Sequence, residues 1–411
     1  MKKMKIVFVC GADVRNGELC CASWITGLIN NLTLDAELSI AGFLRDDAPV
    51  TAECAGRSVD LIKIDKNASS EVFAKKIKEL RPDAVVIFGT EKDHTQIAVE
   101  ACKAAGVISR TALFAQGIAF ACAEHYLADV PSDVAKRYTF RDAARRSNIM
   151  TEKKVMEKRA EVEKNAIGQI RHFIGRTSLD YAALRRYNRT AKYYRCNDFM
   201  RPCFYSGSWS YEGCEPYRLF VSQYYYPLKG FHFLLKAVSE LKERYPKLKI
   251  AAAGYNPVNS GDFKKELKDS SYIRYIKELI LKYGLENNIE FLGELSEEEM
   301  KREYLKANVF VLPSSIENSP NSLGEAMLLG VPSVASFVGG VGDLATHTSD
   351  ALLYPSDAPY LLAHYIDELF GDPQQAAALG KRAKERAESI YDIDRNRSAF
   401  EEALISIADS D

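Results

Sequence analysis

The sequence predicts an α/β protein of two doubly wound, Rossmann-like domains. Two observations carry this: short, almost wholly apolar runs alternate with amphipathic stretches, and the alternation breaks once and then resumes. At 411 residues the chain is long enough for two or three cores, and 47% hydrophobic with 27% charged residues is an ordinary globular composition. In the first half, Ile6–Cys10, Val59–Ile64, Ala84–Phe88 and Thr111–Ala115 have the length and continuous apolar character of buried parallel strands. Between them Ile25, Leu28, Ile29 and Leu32 keep helical spacing, as do Val72, Ile77 and Leu80, with Pro82 where a helix should stop. From Ala121 to about Ile170 the chain reads as polar, basic and helical, a helical basic insertion in the first domain. After Pro216 the alternation returns, with strands expected at Arg218–Ser222, Lys249–Ala253, Ile289–Leu292, Val309–Leu312 and Ser333–Ala335. Helices are expected at Phe231–Arg244, Tyr272–Tyr283 and Leu323–Leu329, and a last amphipathic one at Arg395–Ala408. The expected domains are residues 1–210, residues 211–390, and a terminal segment 391–411.

Several classes are disfavoured. The basic start, Met1 to Lys5, is followed by an apolar stretch too short for an export signal, and no run approaches a membrane span, so a cytoplasmic protein is expected. Nine cysteines, none in a C-x-x-C pair and all at or before Cys214, read as buried reduced thiols. Six histidines show no metal-binding spacing and no aspartate pair stands out, so no metal or other cofactor is expected. Charge is unevenly spread. Residues 136–201 hold 18 Lys and Arg against 7 Asp and Glu, a local +11 in a chain whose remainder is −12. A solvated helical face, a nucleic-acid surface and an anionic membrane surface are all compatible with that run. No nucleic-acid module accompanies it, and between the other two it is the family resemblance given below that favours the membrane surface.

The chemistry concentrates in Glu317-Asn318-Ser319-Pro320-Asn321-Ser322-Leu323-Gly324-Glu325. This stretch follows an expected strand and opens an expected helix, where free amides and the positive dipole end suit a phosphate. Glu317 and Glu325 flank it, and carboxylates accept the paired hydrogen bonds of vicinal hydroxyls. A local alternative is that Ser322 and Glu325 form a capping box.

Glu317-x7-Glu325 with Ala326-Met327, Gly330-x-Pro332 and Gly339-Gly340, joined to Lys229-Gly230-Phe231, Tyr245-Pro246 and Ala253-Gly254, resembles the signature of retaining family-4 glycosyltransferases. The resemblance runs from about Arg218 to Tyr391. It implies a GT-B fold, two Rossmann-like domains facing each other across a cleft, with the last helix crossing back to the first domain. It further implies transfer, with retention and without a metal, from a nucleoside diphosphate sugar to a hydroxyl of a glycan or lipid-linked acceptor. By the resemblance Glu317 faces the donor sugar, Glu325 holds the nucleotide ribose, and Lys229 neutralises the diphosphate. Ser319, Asn321, Ser322, Leu323, Gly254 and Gln223, with Gly17 from the first domain, complete the donor site. Gly17, beside Asn16, falls where the family has a glycine-rich turn after the first strand. The stretches Gly175-Arg176-Thr177, Tyr193–Asn197 and Tyr226–His232 resemble a bacterial subgroup that builds surface polysaccharides. Asn16, Gln116, His125 and Arg176 are the candidates on the acceptor side. Two departures stand out: Ser222-Gln223 replaces the family's Gly-Arg, removing one cation, and Gln116-Gly117 stands where many relatives have a histidine. A nucleotide-sugar epimerase on the same architecture and a non-catalytic nucleotide-sugar-binding partner remain as alternatives.

Overall fold

The protein is described by a computed structural model covering residues 3–45, 47–54, 56–64, 70–254 and 267–410; Met1 and Lys2 of the basic start lie outside these. The chain forms two compact units. Unit 1 comprises Met1–Phe120, Glu157–Arg201 and Tyr391–Asp411, and unit 2 comprises Ala121–Met156 and Pro202–Ile390.

In unit 1 the sheet strands are β1 (Met4–Val9), β2 (Ala12–Arg15), β3 (Glu18–Cys21), β4 (Ala36–Gly42), β5 (Thr51–Cys54), β6 (Arg57–Lys63), β7 (Ala84–Phe88), β8 (Thr111–Phe114), β9 (His172–Gly175) and β10 (Lys192–Arg195). They lie in the order β10-β9-β8-β7-β1-β4-β6-β5-β3-β2. The centre is parallel, whereas β2–β3 and β5–β6 pair antiparallel at one edge. Strand β4, paired along its length with β1, was not among the expected strands, because Ala36-Glu37-Leu38-Ser39 alternates polar and apolar residues. The terminal helix Ile393–Ala408 groups with this unit. Its Phe400 sits 6.1 Å, centroid to centroid, from both Phe8 and Phe114, and Phe8 meets Phe88 edge-on at 5.1 Å. One aromatic cluster thus ties the last helix to three central strands.

Unit 2 has a six-stranded parallel sheet of β11 (Arg218–Val221), β12 (Lys249–Ala253), β13 (Ile289–Gly293), β14 (Val309–Leu312), β15 (Ser333–Ser336) and β16 (Leu352–Tyr354), in the order β13-β12-β11-β14-β15-β16. The chain builds outward from β11 to β13, then returns to start the other side with β14. That reversal opens a crevice between the carboxyl ends of β11 and β14, the usual ligand position in open α/β sheets.

The expected helical insertion in the first domain requires correction. Residues 121–156 group with unit 2, and the division falls inside the helix Ile149–Gln169. The reason is a set of polar fasteners that join elements far apart in sequence. Thr139 Oγ1 donates to the Asp269 carbonyl (2.7 Å), Asp142 Oδ2 accepts from Ser271 N (2.8 Å), and Arg137 pairs with Glu278 (2.6 Å). The His232 ring meets the Ala128 carbonyl at 2.6 Å; burial pushes the imidazole pKa down to about 4, so it stays neutral. One fastener, Arg137–Glu278, uses a basic side chain of the charge run.

Because Phe400 is 1% exposed, Phe400→Ala should cost about 3–5 kcal/mol, seen as an earlier urea transition. Val50→Ala, at an 80% exposed position, should leave the transition within about 0.5 kcal/mol of the parent's.

Candidate functional site

The loops after β11, β14 and β15 meet at the switch point of unit 2. After β11 the chain makes a 3₁₀ turn, Pro227–Lys229, and then Gly230 takes φ +64° and starts the helix Phe231–Leu241. A Cβ at Gly230 would lie 1.8 Å from the Pro313 carbonyl oxygen, so only glycine allows this approach to the end of β14. Ser315 N and Oγ both donate to the Leu228 carbonyl, at 2.8 and 3.3 Å. Ser336 Oγ, at the end of β15, donates to the Ser314 carbonyl (2.5 Å), and Gly340 N donates to the Glu317 carbonyl (3.0 Å).

This scaffold brings Lys229 to Glu317, 88 positions away. Lys229 Nζ donates to Glu317 Oε1 at 2.6 Å, and the same oxygen accepts from Ser314 Oγ at 2.7 Å. The side chains are 17% and 13% exposed. Burial alone would lower the lysine's pKa; the Glu317 carboxylate and Tyr226 overcome it and hold Lys229 above its ordinary value, as a cation. Tyr226 lies with its ring 5.7 Å from Nζ, and burial pushes its phenol up to about 12.

Beside the pair begins the helix Asn321–Leu329, whose first internal bonds run from Leu323 N and Gly324 N to the Pro320 carbonyl. The amides of Asn321 and Ser322 precede that ladder, the usual anion-binding end of a helix. The capping-box alternative is not realised: the cap position is Pro320, with no side-chain cap bond, and Ser322 already lies inside the first turn. Glu325 is buried instead, with Oε2 accepting from the Tyr304 hydroxyl (3.1 Å), which also donates to the Ser322 carbonyl (2.9 Å). Gly254 follows β12 at φ +109°, and a Cβ there would come within 3.1 Å of the Tyr225 ring. Ser319 is half-buried in the loop before the helix, and Gln223 is exposed just after β11.

The acceptor-side candidates are divided between the two units. His125 ends the helix Ala119–His125 with an exposed side chain in unit 2, its carbonyl accepting weakly from Ser315 Oγ at 3.4 Å. Asn16, Gln116 and Arg176 lie in unit 1, as does the donor-side candidate Gly17. Asn16 and Gly17, at φ +53° and +82°, form the exposed tip of the β2–β3 hairpin rather than a turn leading directly into the first helix. Asn-Gly is the preferred pair for such a two-residue turn, which explains the position. Arg176 is buried and already engaged. It pairs with Asp198, and its Nη2 donates to the carbonyls of Ala115 (3.1 Å) and Gln116 (3.0 Å). A buried cation needs such partners, so Arg176 and the backbone of Gln116 form one structural clasp.

Sequence reasoning did not single out Ser314, Ser336 or Tyr304, and gave Tyr226 no role of its own. Pro313-Ser314-Ser315 after a buried strand was the available signal for the first. Glu163 was also missed. Fully buried in unit 1, it accepts from Thr90 Oγ1 (2.6 Å), Ala119 N (2.9 Å) and Phe120 N (3.2 Å), while burial pushes its carboxyl up to about 7. Among the described residues, no cluster of three His, Cys, Asp or Glu is placed to hold a metal.

Residues 212–386, nearly all of unit 2 beyond its helical segment, match the family model described as glycosyl transferases group 1. An uncharacterized glycosyltransferase of Methanocaldococcus jannaschii is 31% identical over 155 residues, 38% of this chain and 35% of that protein. A D-inositol 3-phosphate glycosyltransferase of Corynebacterium urealyticum is 28% identical over 160 residues, 39% of this chain and 36% of that protein. This chain thus spans little over a third of the length of these relatives. Among solved structures, sucrose-phosphate synthase of Thermosynechococcus elongatus superposes with a TM-score of 0.70 at 16% identity, over 98% of this chain and 99% of that one. Anabaena HepE, solved with UDP and glucose, gives 0.68 at 16% identity, over 98% and 100%. The fold is that of GT-B glycosyltransferases, two Rossmann-like domains.

Gly230→Ala should disrupt the site more than the rest of unit 2, since the Pro313 carbonyl must move to admit a methyl group. The expected result is a lower unfolding midpoint together with faster amide exchange at Leu228–Gly230 and Ser314–Glu317. Unchanged exchange there would show that the approach is not tight.

Proposed function

We propose that this protein is a retaining glycosyltransferase that takes a nucleoside diphosphate sugar as donor and a glycan or lipid-linked hydroxyl as acceptor. The observation carrying this reading is the Lys229–Glu317 pair beside the start of the helix Asn321–Leu329, at the switch point of the sheet. A cation and a helix N-terminus suit a diphosphate leaving group; a carboxylate beside them suits sugar hydroxyls. The match of residues 212–386 to glycosyl transferases group 1 supports it. In this reading Glu325, tethered by Tyr304, receives the ribose, and the departing diphosphate accepts the acceptor's proton. Leaving-group charge falls to Lys229 and the helix rather than to a divalent ion, so excess chelator should leave turnover unchanged. A role in surface polysaccharide synthesis is supported by a candidate colanic acid biosynthesis glycosyltransferase of Escherichia coli, 27% identical over 186 residues.

Incubation with UDP-, GDP- and ADP-sugars and a panel of glycan acceptors tests the reading. A product keeping the donor's anomeric configuration by NMR supports it. Sugar interconversion without acceptor would make the protein an epimerase, and binding without turnover a non-catalytic partner. Lys229→Ala should weaken nucleoside diphosphate binding about tenfold or more, because it removes a charge-assisted hydrogen bond of roughly 1.5–3 kcal/mol. Unchanged affinity in calorimetry would displace the diphosphate from this site.

The membrane reading concerns one part of the basic run. Tyr138 and Phe140 are exposed in unit 2, with exposed Lys136, Arg145, Arg146 and Lys154 in the same helical segment. Shallow apolar groups among cations suit an anionic bilayer surface, each cation contributing about 1 kcal/mol. Among the described residues no helix is long and apolar enough to cross a membrane. Cosedimentation with anionic vesicles at low salt should be lost on replacing Arg145, Arg146 and Lys154 together by Glu. Equal indifference of the parent protein to anionic and neutral vesicles would leave the segment a solvated face.

A further inference from the structure

Lys229 and Glu317 neutralise one another, and both are largely withdrawn from water. The contact is direct at 2.6 Å, and Ser314 reinforces the same carboxylate oxygen at 2.7 Å. Partly desolvated charges hold strongly to their partners, so a ligand that claims one of them must also provide for the other. A diphosphate claiming Lys229 brings negative charge next to Glu317. That repulsion is relieved only if the carboxylate receives hydrogen-bond donors in place of the ammonium. Sugar hydroxyls are such donors, and a carboxylate accepts them in pairs.

We propose that the Lys229–Glu317 ion pair distinguishes intact donor from spent nucleotide: it parts for a ligand carrying both a diphosphate and a sugar, and competes against a nucleoside diphosphate alone. The inference rests on the donor-site reading above and adds a role in product release. Once the sugar has left, Glu317 loses its hydroxyl partners and reclaims Lys229, loosening the diphosphate. Ser314 sets the balance. By donating to Glu317 Oε1 it shares in satisfying the carboxylate, and its own carbonyl is fixed by Ser336. Ser314 is therefore a positioning residue for the pair, acting without touching the ligand.

Calorimetric titration of the full chain with UDP, GDP and ADP and with UDP-glucose, GDP-mannose and ADP-glucose tests this, on the parent protein and on Glu317→Gln, Ser314→Ala and Lys229→Met. Glu317→Gln keeps the shape and removes the charge. It should bind the matching nucleoside diphosphate about tenfold tighter or more, with no tighter binding of the sugar conjugate. Ser314→Ala should move the nucleoside diphosphate the other way, to several-fold weaker binding, because Glu317 then depends more on Lys229. In the Lys229→Met background the Glu317→Gln step should shrink to below about threefold, since the competition runs through the lysine. Glu317→Gln leaving the preference for the sugar conjugate unchanged, or gaining as much without the lysine, overturns the inference and leaves the donor site standing. A parent protein that binds none of the six ligands overturns the donor-site reading, and the inference falls with it.

Discussion

At Gly230 the backbone turns left-handed with the Pro313 carbonyl where a side chain would be, and the placement of the charged pair follows from that contact. Two parallel strands that are neighbours in the sheet but 88 residues apart at their charged groups must deliver a lysine and a glutamate to within 2.6 Å. Strand pairing alone aligns β11 with β14 through only Leu219–Val309 and Phe220–Phe310. Beyond the last pair the loops are free to diverge. The close approach at Gly230, with Ser315 bonded to the Leu228 carbonyl, carries the alignment past the ends of the strands and into the site.

The electrostatics then follow from burial. Lys229 lies in surroundings that by themselves favour the neutral amine, and it remains charged because Glu317 and Tyr226 face it. Two charges so placed respond to any ligand that changes the charge on either side, which is what the proposed donor site needs. Arg176 and Asp198 in unit 1 show the contrast. There the guanidinium also satisfies two backbone carbonyls within a fully buried setting, its Nη2 holding the loop after β8 against the end of β9 while Nη1 meets Asp198.

The segment of residues 121–156 illustrates how chain order can mislead about domain membership. It lies between two parts of unit 1 in sequence, yet its attachments run to Asp269, Ser271, Glu278 and His232 in unit 2. Its buried apolar residues, among them Tyr126, Val130, Val134 and Ile149, do not by themselves name a partner, whereas hydrogen bonds to distant residues tie it to unit 2. None of these has a periodic signature. The same holds in reverse for the last helix, whose apolar stripe of Phe400, Leu404 and Ile407 was legible but whose partners, Phe8 and Phe114, were not.

Hydrophobic continuity was enough to locate Ala84–Phe88, Lys249–Ala253 and Val309–Leu312 residue for residue, because strands buried on both faces leave an uninterrupted apolar run. The short strands β2, β3 and β5 towards one edge, and β4 with its mixed start, left no such run. Glu317, Glu325 and Lys229 were likewise legible as candidates, through a motif that resembles a family signature in a loop ahead of a helix and a lysine before a glycine. Their relations were not. That Glu325 meets Tyr304 rather than capping its own helix depends on where the helix begins, a matter of one or two residues that Pro320 decided. That Asn16 and Gly17 sit on an exposed hairpin depends on strands pairing at the sheet edge. The sequence by itself determined which groups are charged, which runs are buried and where helices open. Only the tertiary structure decided which of those groups meet, because a 2.6 Å contact between residues 88 apart is set by strand order and a backbone approach that no local pattern encodes.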